Sequence, residues 1–107
     1  MPARTVEQMS FAEFQDSVAR GAAPAGASGA LQALWHDARG DWHAAHASAQ
    51  DDHSRDGLWV HAYLHRKEGD DGNAGYWYAR AARRAPARGT TLAAEWESIA
   101  RALCAEA

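Results

Sequence analysis

The sequence predicts an all-α protein, a compact bundle of about six helices built as stacked antiparallel helical hairpins. Three observations predict it. The segment A-L-W-H-D-A-R-G-D beginning at Ala33 returns 29 residues later as A-Y-L-H-R-K-E-G-D beginning at Ala62. Self-similarity over a few tens of residues marks hairpins that stack side by side. Apolar residues recur at spacings of three and four along most of the chain, and no stretch shows the strict alternation of a half-buried strand.

The first helix is set by Ser10 and Glu13, which have capping-box spacing, with Phe11, Phe14 and Val18 on one face. Gly21 is its expected stop, and residues 21–29 (G-A-A-P-A-G-A-S-G) read as a linker. The second helix starts near Ser28 and should bury Leu31, Leu34, Trp35 and Ala38. Gly40 ends it, and Asp41 is the expected cap of a third helix that aligns Trp42, Ala45, His46 and Ala49. After the polar tract 51–57, with Asp56 as the expected cap, a fourth helix over residues 58–68 is apolar around most of its circumference, which marks it as central. The fifth is expected over residues 72–84, with Ala74, Trp77, Tyr78 and Ala81 inward, and the sixth from Thr91, with the stripe Leu92, Trp96, Ile99 and Leu103. Each of the last five helices carries one tryptophan beside many alanines, as close packing around large rings requires; an aromatic ligand cage is the competing reading.

With 107 residues, one domain is expected over 1–107: an N-terminal helix and linker (1–29), a two-hairpin core (30–86) and a C-terminal helix (90–107). A net charge of −3 and 47% apolar residues describe a globular chain that gives no reason to expect nucleic-acid binding. The single cysteine, Cys104, permits no internal disulfide, and it should lie away from the core face of the last helix. No apolar leader and no run of 18 apolar residues is visible, so the expected location is the cytoplasm with no membrane partner.

Residues 59–81 (W-V-H-A-Y-L-H-R-K-E-G-D-D-G-N-A-G-Y-W-Y-A-R-A) resemble a family of small uncharacterised bacterial proteins with the signature H-A-Y-L-H-R-K-E-G-D-x-x-N-A-x-Y-W-Y. The preceding W-H-D-A-R-G-D-W-H-A-A-H, residues 35–46, fits the same family's D-A-x-G-D-W-x-x-A-H. That resemblance implies neither an activity nor catalytic residues. The glycine, alanine and tyrosine spacing also resembles tetratricopeptide and Sel1-type hairpins, whose common role is to bind other proteins.

Two constellations carry candidate chemistry. His61, His65 and Glu68 fall on one narrow arc of the fourth helix, and His46 lies on the apolar face of the third, where it could meet them. Two histidines one turn apart can share a divalent metal ion, and a carboxylate can complete the set. Structural hydrogen bonding of the same imidazoles is the alternative. The second constellation is a polar side made by His61, His65, Arg66, Tyr76 and Arg80, extended by Arg83 and Arg84. Arginine forks beside a partly exposed ring suit a phosphate or an acidic partner, although they could equally pair with Asp70, Asp71, Glu95 and Glu97 or form a solvated face. No phosphate-binding glycine loop, nucleophile elbow or cysteine-pair zinc pattern is present, and no organic cofactor is expected. The sequence therefore favours a protein-interaction module, with a metal or general acid/base site on His46, His61, His65 and Glu68 as the alternative. It leaves the oligomeric state open.

Overall fold

A computed structural model describes residues 9–104 and shows six helices: α1 Phe11–Arg20, α2 Gly29–Ala38, α3 Trp42–Asp51, α4 Arg55–Lys67, α5 Asp71–Arg80 and α6 Leu92–Leu103. No strand occurs among the described residues. The expected absence of a leader falls on residues 1–8, and the end of the expected C-terminal helix on residues 105–107; both lie outside the described residues.

Every helix begins at a side chain that accepts an orphan backbone N–H: Ser10, Ser28, Asp41, Ser54, Asp70 and Thr91. The Ser10–Glu13 pair forms the full reciprocal box. The cap of α4 is Ser54, not Asp56. The Ser54 hydroxyl accepts from Gly57 N–H at 3.1 Å, which leaves Asp56 in the first turn, where a carboxylate complements the helix dipole. Helix α5 also ends earlier than its composition suggests. Ala82 takes a φ of 55°, and Arg83 N–H reaches back to the Tyr78 carbonyl at 3.0 Å, so Arg83 and Arg84 lie beyond the helix.

The two echoed segments make the same turn. Gly40 and Gly69 have φ of 84° and 89°, a left-handed conformation that favours glycine. In each turn the following aspartate, Asp41 or Asp70, donates its backbone N–H to the carbonyl of His36 or His65 and caps the next helix. Helix α4 packs against α2, α3, α5 and α6, the central position its apolar circumference predicts. The main core gathers Phe14, Leu31, Leu34, Val60, Tyr63, Leu64 and Ile99, and a smaller cluster joins Ala62 to Ala74 and Tyr78. Phe11 and Phe14 bring α1 onto Trp96 of α6, with ring centroids 6.2 and 6.0 Å apart.

Two details of the core depart from the sequence reading. Ala38 is exposed and its neighbour Asp37 is buried, because Asp37 accepts from the Tyr63 hydroxyl at 2.6 Å and from Lys67 Nζ at 2.7 Å. Cys104 is buried in the core, since the chain leaves α6 there in an extended conformation and turns the thiol inward. A close approach ties three helices together. Asp52, which ends α3, accepts from Ala30 N–H at the start of α2 and from the Ser54 N–H and hydroxyl that lead into α4. A Cβ on Gly57 would stand 2.0 Å from the Asp52 carbonyl oxygen, and one on Gly29 would stand 2.7 Å from Asp52 Cβ. Only glycine lets the backbones meet at these two positions.

Candidate metal centre

The site forms where α3, α4 and α5 converge. Because α3 starts at Asp41, Trp42 and His46 lie one turn apart on the same face, and their rings stack with centroids 4.8 Å apart and planes inclined by 12°. Trp42 Nε1–H donates to the Leu64 carbonyl of α4 at 3.1 Å, which fixes the indole and clamps α3 to α4. His61 and His65, one turn apart on α4, stack on each other at 4.8 Å. From α5, Trp77 stacks on His61 at 4.2 Å, and its own Nε1–H is held by Asn73 Oδ1 at 3.0 Å. Three imidazoles are thus packed among two oriented indoles.

The ring nitrogens lie close enough together that they could hold one ion. Nε2 of His46 and Nε2 of His61 lie 3.0 Å apart, one ring donating to the other. One ligating atom from each of His46, His61 and His65 falls within 4.8 Å of the others. Tetrahedral zinc with nitrogen ligands near 2.0–2.1 Å requires nitrogen–nitrogen edges of about 3.3 Å; the His46–His61 edge is close to that, and the edges to His65 are at most 4.8 Å. His65 Nδ1–H donates to Glu68 Oε1 at 2.6 Å, which leaves Nε2 as its free lone pair. A carboxylate holding the far nitrogen of a histidine is the usual outer support of a metal ligand. Burial, then the neighbouring His46 and His65, push His61 down to about 4, and burial together with His65 lowers His46 as well. Both rings are neutral at pH 7, the protonation state a metal requires. A second grouping, His65 with Glu68 and Asp70, shares His65 but has two exposed carboxylates that Asn73 N–H and His65 already engage.

The residues expected on a partner-binding face are divided by the fold. His61 and His65 are 4% and 8% exposed, so both point into the molecule. Arg66 is turned onto α6, where it pairs with Glu95 at 2.8 Å and donates to the Thr90 carbonyl. Tyr76, Arg80, Arg83 and Arg84 are exposed. Arg80 lies over both the Tyr76 and Trp77 rings, and Arg83 over Trp59 at 4.2 Å.

Two carboxylates, Glu95 and Asp37, are buried, which the sequence reading did not anticipate. Glu95, 5% exposed, accepts from Tyr78 Oη and pairs with Arg66, and Asp37 does the same for Tyr63 and Lys67. Burial first, and then the bonded carboxylate, raise both tyrosines well above the ordinary phenol range. A signal for Glu95 was present: it stands three residues after Leu92, inside the stripe that α6 buries. The supporting roles of Trp42, Asn73 and Trp77 were also missed. The spacing of four in Trp42–His46 and Asn73–Trp77 pointed to them.

No family model, curated protein or solved structure matches the chain. None of the described helices is long and apolar enough to cross a membrane. The chain is a small all-helical protein whose histidine cluster, His46, His61 and His65, could hold a metal ion.

Proposed function

We propose that this chain is a metalloprotein in which His46, His61 and His65 bind one divalent transition-metal ion, and Glu68 orients His65. One observation carries the reading. Three buried or half-buried imidazoles from two helices bring their ligating nitrogens within 4.8 Å, with no carboxylate or main-chain group separating His46 from His61. Imidazole donors suit zinc, copper, iron and nickel. Three protein ligands leave a coordination position for water or substrate, as in catalytic zinc centres, where bound water ionises near pH 7 and becomes a nucleophile. The chemistry favoured is therefore metal-assisted attack of water on a small molecule.

The test is elemental analysis of untagged protein. One equivalent of metal is expected, lost in His46→Ala and His61→Ala. Metal-free protein whose thermal midpoint ignores added zinc would overturn the assignment. A second reading, docking of an acidic protein, is favoured by Tyr76, 55% exposed and flanked by Arg80 on a face that Arg83 and Arg84 extend. A partner that co-purifies with the protein and is lost in Tyr76→Ala would support it.

A further inference from the structure

A cavity of about 400 Å³ opens beside the histidine cluster, between the end of α3, the start of α4 and the outer face of α5. That is toward the lower end of volumes that small-molecule sites occupy. Ala49, Leu58 and Trp77 give it apolar walls, His61 lines it, and Arg80 contributes the cation. Trp77 joins the two polar groups: its ring stacks on His61 at 4.2 Å, and the Arg80 guanidinium lies over it with Cζ 5.2 Å from the centroid.

Arg80 is positioned without being consumed. No carboxylate among the described residues lies within ion-pair distance of it, and its one hydrogen-bond partner there is the Tyr76 hydroxyl at 3.3 Å. Arg66 and Arg101, by contrast, pair with Glu95 and Glu97. The acid that lines the cavity, Asp52, keeps its charge but is turned to Ala30 and Ser54 and makes no ion pair with Arg80. Apolar walls, an uncommitted planar cation and a histidine of the cluster together describe a ligand with an anionic end.

Building on the metal assignment above, we propose that this cavity binds a small organic oxyanion, a carboxylate or phosphate-type group on a compact apolar body. Its anionic group pairs with Arg80, its body lies between Leu58 and Trp77, and it approaches the open position of the metal on His61. The guanidinium fork matches either oxyanion, and stacking on Trp77 holds the fork in place.

The test uses the full chain loaded with cobalt(II), whose visible spectrum reports changes at the metal. Benzoate and phenylphosphonate are titrated separately to millimolar concentrations, with neutral benzamide as control. A saturable spectral change is expected from at least one anion, and the stronger of the two identifies the anionic group. Arg80→Gln should bind the same cobalt but weaken the anion by at least about tenfold, the loss of one charge-assisted pair. Arg83→Gln should leave anion binding unchanged. Stoichiometric cobalt with no response to either anion overturns the cavity assignment and leaves the metal centre standing, as does equal affinity in Arg80→Gln or for benzamide. Failure to take up cobalt at all overturns both.

Discussion

At the scale of single residues, the molecule depends on a few buried polar atoms whose partners come from other helices. Glu68 is the simplest to test. It touches His65 and none of the other cluster rings at bonding distance. Glu68→Gln should keep the fold but weaken metal binding by about 10- to 100-fold, as loss of an outer carboxylate does elsewhere; competition with a chelator would measure it. Glu95 stabilises differently. Arg66→Ala would leave its buried carboxylate with Tyr78 alone, and breaking such a pair costs on the order of 3 kcal/mol. Urea unfolding should show that loss, while Arg101→Ala, which breaks the exposed pair with Glu97, should change stability by less than about 1 kcal/mol. The histidines were legible in the sequence because helical spacing alone places His61, His65 and Glu68 on one arc. Glu95 and Asp37 were harder to read: position in the α6 stripe hinted at Glu95, but a charged residue on an apolar helix reads as exposed until Arg66 and Lys67 arrive from a helix 29 or 30 positions away.

At the scale of helices, local signals governed what could be read. The caps Ser10 and Asp41 and the helix starts near Ser28 and at Thr91 followed from residue type and spacing, since a cap is satisfied within four residues of chain. The α4 cap was misplaced because Ser54 and Asp56 compete for it, and the choice is settled by Asp52, which accepts from the Ser54 hydroxyl and fixes its orientation. The glycine turns make a clean prediction. Open space surrounds Gly40 and Gly69, so Gly40→Ala and Gly69→Ala should each cost about 1–2 kcal/mol from backbone strain alone. Gly72→Ala, with helical backbone and equally open space, should be neutral or stabilising, because alanine favours helix. Thermal midpoints of the three variants separate conformation from crowding.

At the scale of the whole molecule, the cluster links acidity to folding, and the proposed metal would join that linkage. His61 and His46 have folded values below the ordinary 6.5, so folding disfavours their protonation. Their contribution is fully present above pH 6.5 and is lost as pH falls below it, for His61 through about 4. For His61 the loss is on the order of 3 kcal/mol. The groups around it are His46 from α3, Asp52 and His53 at its end, His65 and Glu68 on α4, and Arg80 from α5. Urea midpoints of metal-free protein should therefore fall between pH 7 and pH 4.5; a flat profile would contradict the burial of these rings. On the proposed assignment a bound metal would act oppositely at neutral pH, adding about 2.7 kcal/mol at one hundred times its dissociation constant. The meeting of Gly29, Asp52 and Gly57 then acquires a further meaning. His46 precedes that junction on α3 and His61 follows it on α4, so the side chain missing at Gly57 sets the gauge between the two histidine-bearing helices, and the one missing at Gly29 seats α2 against them. A methyl group at position 57 would act as a shim, prising the jaws of the cluster apart without altering a single donor atom, and the width of the jaws would then decide which ion the proposed site accepts.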